Sequence, residues 1–229
     1  MPKDRPLPRE PPRALLVGQE LGRLGSTLRQ AESVGLLRKN GVPTLYRRVT
    51  TATVELLLFT GCRLSEILNL KWEQVDFADG KITLLTTKSG RPQQVTMNAP
   101  ARQVLKELEA TKSSEWVLPS VSSTKRPLSK AGIEAAWTKV RSAAQLDDVR
   151  LHDLRHTVGT YAAQSGTNAF LVRDLLRHKN LAMTGRYVNR ADEPVRTLSD
   201  QVGERISAAM AGRPAADVVP LKGGKSAAQ

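Results

Sequence analysis

The chain has 229 residues, room for one domain with a sizeable hydrophobic core or for two small ones. Thirty-five Lys and Arg against 22 Asp and Glu leave a net charge of +13 and a pI near 10.3, a balance that favours a polyanionic partner. The lone cysteine, Cys62, excludes an internal disulfide framework and fits a reducing cytoplasm, and the longest apolar run, Leu56 to Phe59, is far too short to span a bilayer. No secretory apolar segment follows Met1, and no basic amphipathic helix with bulky aromatics points to a membrane surface.

Residues 1–13 hold five prolines among charges and read as a Pro-rich tail or linker stub. From Leu15 to Leu37 apolar residues recur at helical spacing (Leu21, Leu24, Leu28). Gly41–Thr44 reads as a turn that starts the next helix, with Thr44 as its cap. Thr44 to Thr60 is apolar around much of its circumference, as in a central helix, and Gly61 stops it. Leu64 to Leu70 forms a short second helix, with Arg63 at its first turn, where free backbone N–H groups favour an anion. The period then changes. Lys81 to Thr87 reads as a strand, Lys88–Pro92 as a hairpin turn with Lys88 at its tip, and Gln93 to Met97 as the returning strand.

Ala101 to Ala110 is helical again, and Ser129 caps a helix running to Leu146 with Ile133, Trp137, Val140 and Ala144 inward. Leu151 to Gln164 is a helix closed by Ser165-Gly166. Thr167 caps a further one, Asn168 to Arg177, with Phe170, Leu171 and Leu175 facing in. Beyond Tyr187, a helix from Val195 to Met210 carries the stripe Leu198, Val202, Ile206. The fold expected is mainly α (α+β), a helical domain with a small antiparallel β-sheet over residues 14–211, and residues 212–229 form a disordered tail.

The chemistry concentrates between His152 and Tyr187. Positions three apart on a helix share a face about 4.5 Å apart along its axis, so His152 and Arg155 can reach one small anionic group. His178 follows at the end of the next helix and Tyr187 nine residues later. A phenol, two imidazoles and a guanidinium suit a phosphodiester better than a metal ion or a carbonyl. His152 and His156 do have the i, i+4 spacing used for zinc, with His178 as a third ligand. That reading lacks the glutamate of His-Glu-x-x-His, has no cysteine pair, and would set Arg155 beside the metal.

Thr60-Gly61-Cys62-Arg63-Leu64-Ser65-Glu66-Ile67, the hairpin Lys88, His152-Asp153-Leu154-Arg155-His156, Leu176-Arg177-His178 and Gly185-Arg186-Tyr187 together resemble the catalytic domain of the tyrosine recombinase (phage integrase) family, in the family's order and spacing. The resemblance covers roughly Leu15 to Asn189 and makes residues 14–211 a tyrosine recombinase catalytic domain. It implies a site-specific recombinase or integrase that cuts and rejoins duplex DNA through a 3′-phosphotyrosine, with no metal or other cofactor. Tyr187 matches the nucleophile, Arg63 and Arg155 the paired phosphate-binding arginines, and Lys88 the hairpin lysine. His152 and His178 match the remaining two site positions, His152 as general base and His178 as a hydrogen-bond donor to the phosphate. Glu66 is expected to orient Arg63 or support the fold rather than do chemistry, and His156 to be structural.

Position 177 is often glycine in the family, so Arg177 is a departure that alters the loop carrying His178 or adds a phosphate contact. The family's usual N-terminal helical DNA-binding domain is not expected within these residues. The resemblance also implies a homo-tetramer on paired DNA sites, with the segment after Tyr187 packing on a neighbour; the Leu198/Val202/Ile206 stripe is compatible with that. Two rival functions share the features: a DNA-binding regulator or accessory factor with the same fold, and a type IB topoisomerase that relaxes supercoils.

Overall fold

The structure, a computed structural model, describes residues 16–37, 41–85, 92–165, 167–185, 187, 199–200, 202–204 and 206–207. The chain divides into two units, Met1–Val188 and Asn189–Gln229. The first is mostly helical with small antiparallel sheets, as the sequence leads one to expect.

Helix α1 (Gly18–Ser33) starts where Glu20, its third residue, accepts the Val17 N–H at 2.9 Å. It stops well short of Leu37. Gly35 turns the chain at φ +85°, and a Cβ there would lie 2.9 Å from the Thr44 carbonyl carbon, so backbone crosses backbone at that point. Strands β1 (Leu36–Leu37) and β2 (Pro43–Thr44) consequently pair antiparallel where the sequence predicts helix and turn. Helix α2 (Arg48–Thr60) begins at Arg48 rather than Thr44 for the same reason.

Almost the whole circumference of α2 is buried, including Thr50, Thr51, Thr53 and Thr60. The Thr53 and Thr60 hydroxyls return to the carbonyls of Val49 and Leu56 at 2.7 and 2.6 Å, which removes the penalty of burying them. Gly61 ends the helix in the left-handed conformation, φ +59°, and α3 (Leu64–Leu68) follows at once. Strands β3 (Val75–Asp76), β4 (Lys81–Leu84) and β5 (Gln93–Thr96) form one antiparallel sheet in that order, with Ile82 opposite Val95 and both in the core. Lys88 lies outside the described residues.

Helix α4 (Ala99–Ala110) is capped by Asn98 and α5 (Lys130–Ala143) by Ser129, each accepting an N–H at 3.0 Å. Helix α6 (Leu151–Gln164) has the limits read from sequence. Helix α7 (Ala169–Leu176) is capped by Asn168, not Thr167, and its inward pair is Val172 and Leu176. Phe170, Leu171 and Leu175 are exposed, contrary to expectation.

Helix α2 packs against α1, α3, α4, α5 and α6 and is the centre of the core. Its Leu56 and Leu57 are fully buried, each worth about 1.5–3 kcal/mol relative to exposure. Among the described residues no helix is long and apolar enough to cross a membrane. The second unit is helical at its described positions, with Val202 and Ile206 exposed. Leu198, the first member of that stripe, and the tails 1–13 and 212–229 lie outside the described residues.

Candidate functional site

Three chain breaks in helix meet at one place: the end of α2, the start of α6 and the end of α7. Gly61 permits the approach. A Cβ there would sit 3.2 Å from both Leu176 and Val158 side chains, and the left-handed backbone disfavours any other residue. Two residues on, Arg63 precedes α3. Glu66, the third residue of α3, accepts the Arg63 backbone N–H at 2.8 Å and its Nη1 at 2.7 Å. Burial alone would raise the Glu66 carboxyl, but the Arg63 N–H, the Arg63 guanidinium and the charge of Arg177 outweigh it and hold the group ionised, below its ordinary range. Glu66 thus orients Arg63, as the sequence leads one to expect.

Helix α6 starts in the same manner. Asp153 accepts the Arg150 backbone N–H at 2.8 Å and pairs with its guanidinium. This fixes the first turn, from which His152, Arg155 and His156 project. Arg155 is 4% exposed and donates from its two terminal nitrogens to the carbonyls of Gly61 and Leu176, tying α6 to the ends of α2 and α7. Burial, then the positive charges of Arg63 and Arg177, push its guanidinium down to about 10, so it remains cationic at neutral pH. His152 stands exposed beside it. Desolvation and the Arg155 charge lower its imidazole below the ordinary value, which favours the neutral ring. A cleft of about 430 Å³ opens here, lined among others by Lys130, Arg141, Arg150, His152 and Arg155.

Helix α7 ends at Arg177, which takes the left-handed conformation at φ +53°, while the His178 N–H returns to the Arg173 carbonyl at 3.0 Å. This hooked end aims His178 back toward α6. Its Nδ1 lies 3.0 Å from the hydroxyl of Thr184, and the Tyr187 N–H donates to the Thr184 carbonyl at 2.9 Å, so one buried threonine places both rings. The rings of His178 and Tyr187 stack with centroids 6.0 Å apart.

Tyr187 is 9% exposed and packs with Val172 and Leu176, with Val158, Ala162 and Ala163 at the edge. Its hydroxyl lies 2.5 Å from Nδ1 of His156, and the His156 ring meets His152 edge-on at 4.8 Å. Gly159, one turn along α6, makes room for it: a Cβ there would lie 2.9 Å from Tyr187 Cζ and 2.9 Å from Leu176 Cδ1. On an ordinary helix, Gly159→Ala would gain about 0.5–1 kcal/mol. Here overpacking wins, and the substitution is expected to cost about 1–3 kcal/mol. The check is a lower urea midpoint at unchanged slope.

Of the six residues singled out from sequence, Arg63, His152, Arg155, His178 and Tyr187 surround this junction, and Lys88 is outside the described residues. The imidazole that meets the Tyr187 hydroxyl is His156, read from sequence as structural, and not His152. Its spacing, one turn after His152 on the same helix face, was the available signal. Gly159 was visible too, as a glycine inside a strong helix. Among the described residues no three His, Cys, Asp or Glu side chains gather as a metal-holding group.

Residues 36–193 match the model of the phage integrase family. The chain is 28% identical over 150 residues to the tyrosine recombinase XerC of Staphylococcus aureus, 63% of this chain and 50% of that protein. It is 30% identical over 152 residues to the integrase of Salmonella phage P22, 61% of this chain and 39% of that one. The chain therefore spans half or less of the length of these relatives. Its fold is shared with the crystal structure of XerA recombinase (TM-score 0.61, 22% identity, 83% of this chain and 66% of that chain). It is shared also with the XerH site-specific recombinase bound to its difH substrate (TM-score 0.63, 17% identity, 83% of this chain and 55% of that chain). With the family's model matched over more than half its residues, and with a fold shared with solved recombinases, this chain belongs to the phage integrase family and carries a tyrosine recombinase catalytic domain.

Proposed function

We propose that this domain cleaves and rejoins duplex DNA as a site-specific recombinase, through a 3′-phosphotyrosine on Tyr187. The observation that carries the reading is the Tyr187 hydroxyl held against His156 Nδ1 at 2.5 Å, with His178 stacked on its ring and Arg155 the residue before His156 on α6. The phenolic oxygen attacks phosphorus and passes its proton to His156. The bond from phosphorus to the 5′-oxygen breaks, and that oxygen takes a proton from Lys88. Two non-bridging oxygens gain charge as phosphorus becomes five-coordinate, and the guanidiniums of Arg63 and Arg155 with the His178 imidazole stabilise it. These cations do the charge neutralisation, so no metal step is needed. A 5′-hydroxyl from a second strand reverses the sequence and joins the new partner.

Duplex DNA is the partner that a net charge of +13 and a cleft lined by Lys130, Arg141 and Arg150 favour, and the XerH structure is of a recombinase on its DNA substrate. Strand exchange between two duplexes calls for several copies, and a homo-tetramer on paired sites is the assembly proposed. The test is incubation with nicked suicide duplexes, a denaturing gel, and mass spectrometry of the linked peptide. An adduct on Tyr187 is expected; no adduct, or one on another residue, would sink the reading.

The lowered His152 imidazole sets the pH dependence. Two imidazoles 4.8 Å apart beside Arg155 are not both cationic at little cost, so a neutral His152 favours proton transfer from the phenol to His156. A depressed value means the neutral form persists as pH falls past the ordinary histidine value of about 6.5. Single-turnover attachment is therefore expected to stay level down to that pH and to decline only below it. An acid limb centred above the ordinary value would contradict a neutral His152.

A further inference from the structure

Among the described residues, Arg177 is a buried cation at the junction to which the proposed chemistry gives no task. It is built in at some cost. Its backbone sits in the left-handed region, which favours glycine, and its side chain is only 6% exposed. Its Nη2 points at Glu66 Oε2 (3.4 Å), Cys62 Sγ (3.3 Å) and the Gly61 carbonyl (3.5 Å), and Nη1 donates to Leu175 at 3.0 Å. Its Nε is buried with no hydrogen-bond partner among the described residues. A surface arginine at a helix end meets none of these conditions.

The contacts are shared ones. Glu66 takes the Arg63 guanidinium on Oε1 and the Arg63 N–H on Oε2, the oxygen that also meets Arg177, and the Gly61 carbonyl accepts from both Arg155 and Arg177. Arg177 is also the residue before His178. One buried side chain therefore spans the Arg63 turn, the Arg155 anchor and the His178 turn. Its charge further holds Glu66 ionised, which keeps that carboxylate available to Arg63. Three guanidiniums beside one carboxylate leave the pocket net positive by two charges, matching the dianionic transition state of phosphodiester attack.

We propose that Arg177 is a positioning residue, which locks Arg63 and His178 into one rigid unit through Glu66 and the Gly61 carbonyl. This rests on the reading of the site given above. It does not touch the phosphate itself, since its guanidinium lies behind Glu66 and Cys62.

The test compares wild type, Arg177→Gly and Arg177→Lys in single-turnover attachment to a nicked duplex, in duplex binding and in thermal melting. Glycine relieves the left-handed strain but gives up the buried contacts, so a purely structural residue would show lowered melting and unchanged attachment below the melting point. The expected result is melting within a few degrees of wild type for Arg177→Gly, binding within about threefold, and attachment slowed about tenfold or more, the scale of small misplacements at a reacting centre. Free guanidinium ion should restore part of that rate, where sodium chloride at equal ionic strength does not. Lysine keeps the charge without the fork of donors, and is expected to be slow as well. Attachment within twofold of wild type in the folded variants would overturn the proposal, as would a loss matched by equal losses of binding or melting. If Arg177→Gly does not fold, the lysine variant decides by the same criteria. A wild-type protein that forms no adduct would overturn the reading of the site as well, so the two failures are distinguishable.

Discussion

Tyr187→Phe is expected to abolish covalent attachment to duplex DNA while leaving duplex binding within about twofold of wild type. The ring is what packs: it is buried against Val172 and Leu176, stacks on His178 and fills the space that Gly159 leaves on α6. Phenylalanine keeps all of that. What it loses is one oxygen, the one 2.5 Å from His156 Nδ1. Losing a single hydrogen bond of this kind costs about 0.5–1.5 kcal/mol, so melting should shift by a few degrees at most. The chemical effect is of another order, because no other phenol stands at the junction among the described residues: Tyr161 on α6 is exposed, and Tyr46 lies far along the chain beside β2. Gel-resolved attachment on a suicide duplex, with binding measured in parallel, checks both halves. An adduct persisting in the variant would remove Tyr187 as the attacking group.

The second large effect is expected at Arg155, and there stability and chemistry fall together. Arg155→Lys keeps a positive charge but replaces a planar fork with a single ammonium, which cannot serve the Gly61 and Leu176 carbonyls in the same geometry. A buried carbonyl left without its donor costs about 1–3 kcal/mol, expected as a lowered urea midpoint. Attachment should also slow by about 10²–10³, the scale of one lost donor to a developing oxyanion. Arg63→Lys makes the control. Its side chain is 29% exposed and anchors no distant segment, so a comparable slowing is expected with little change in midpoint. Wild-type attachment by Arg155→Lys would take this arginine out of the phosphate clamp.

The elements that announced themselves in sequence are those with clean punctuation. Helix α6 could be bounded from Leu151 and from the Ser165-Gly166 stop, and α5 from its Ser129 cap, because capping chemistry is local. Helix α7 misled for a physical reason. In eight residues it carries Phe170, Leu171, Val172, Leu175 and Leu176 against only Arg173 and Asp174, so the apolar residues spread over most of the circumference and periodicity could not tell that Val172 and Leu176 were the buried pair. The β1–β2 ladder was equally hidden, since it depends on Gly35 meeting Thr44, a contact across the turn. Arg63, His152, Arg155, His178 and Tyr187 were picked out together through family spacing, and the fold brings them to one junction. The partner of the Tyr187 hydroxyl was not. His156 and Tyr187 are 31 positions apart, and only the packing of α7 against α6 joins them.

The two carbonyls that Arg155 holds lie 94 and 21 residues away along the chain. Contacts of such separation must repay loop-closure entropy, so they form when most of the domain has already condensed. On the proposed mechanism, a nascent or partly unfolded polypeptide carries the tyrosine without the arginine that would serve it, so strand cleavage is expected only from the finished tertiary structure.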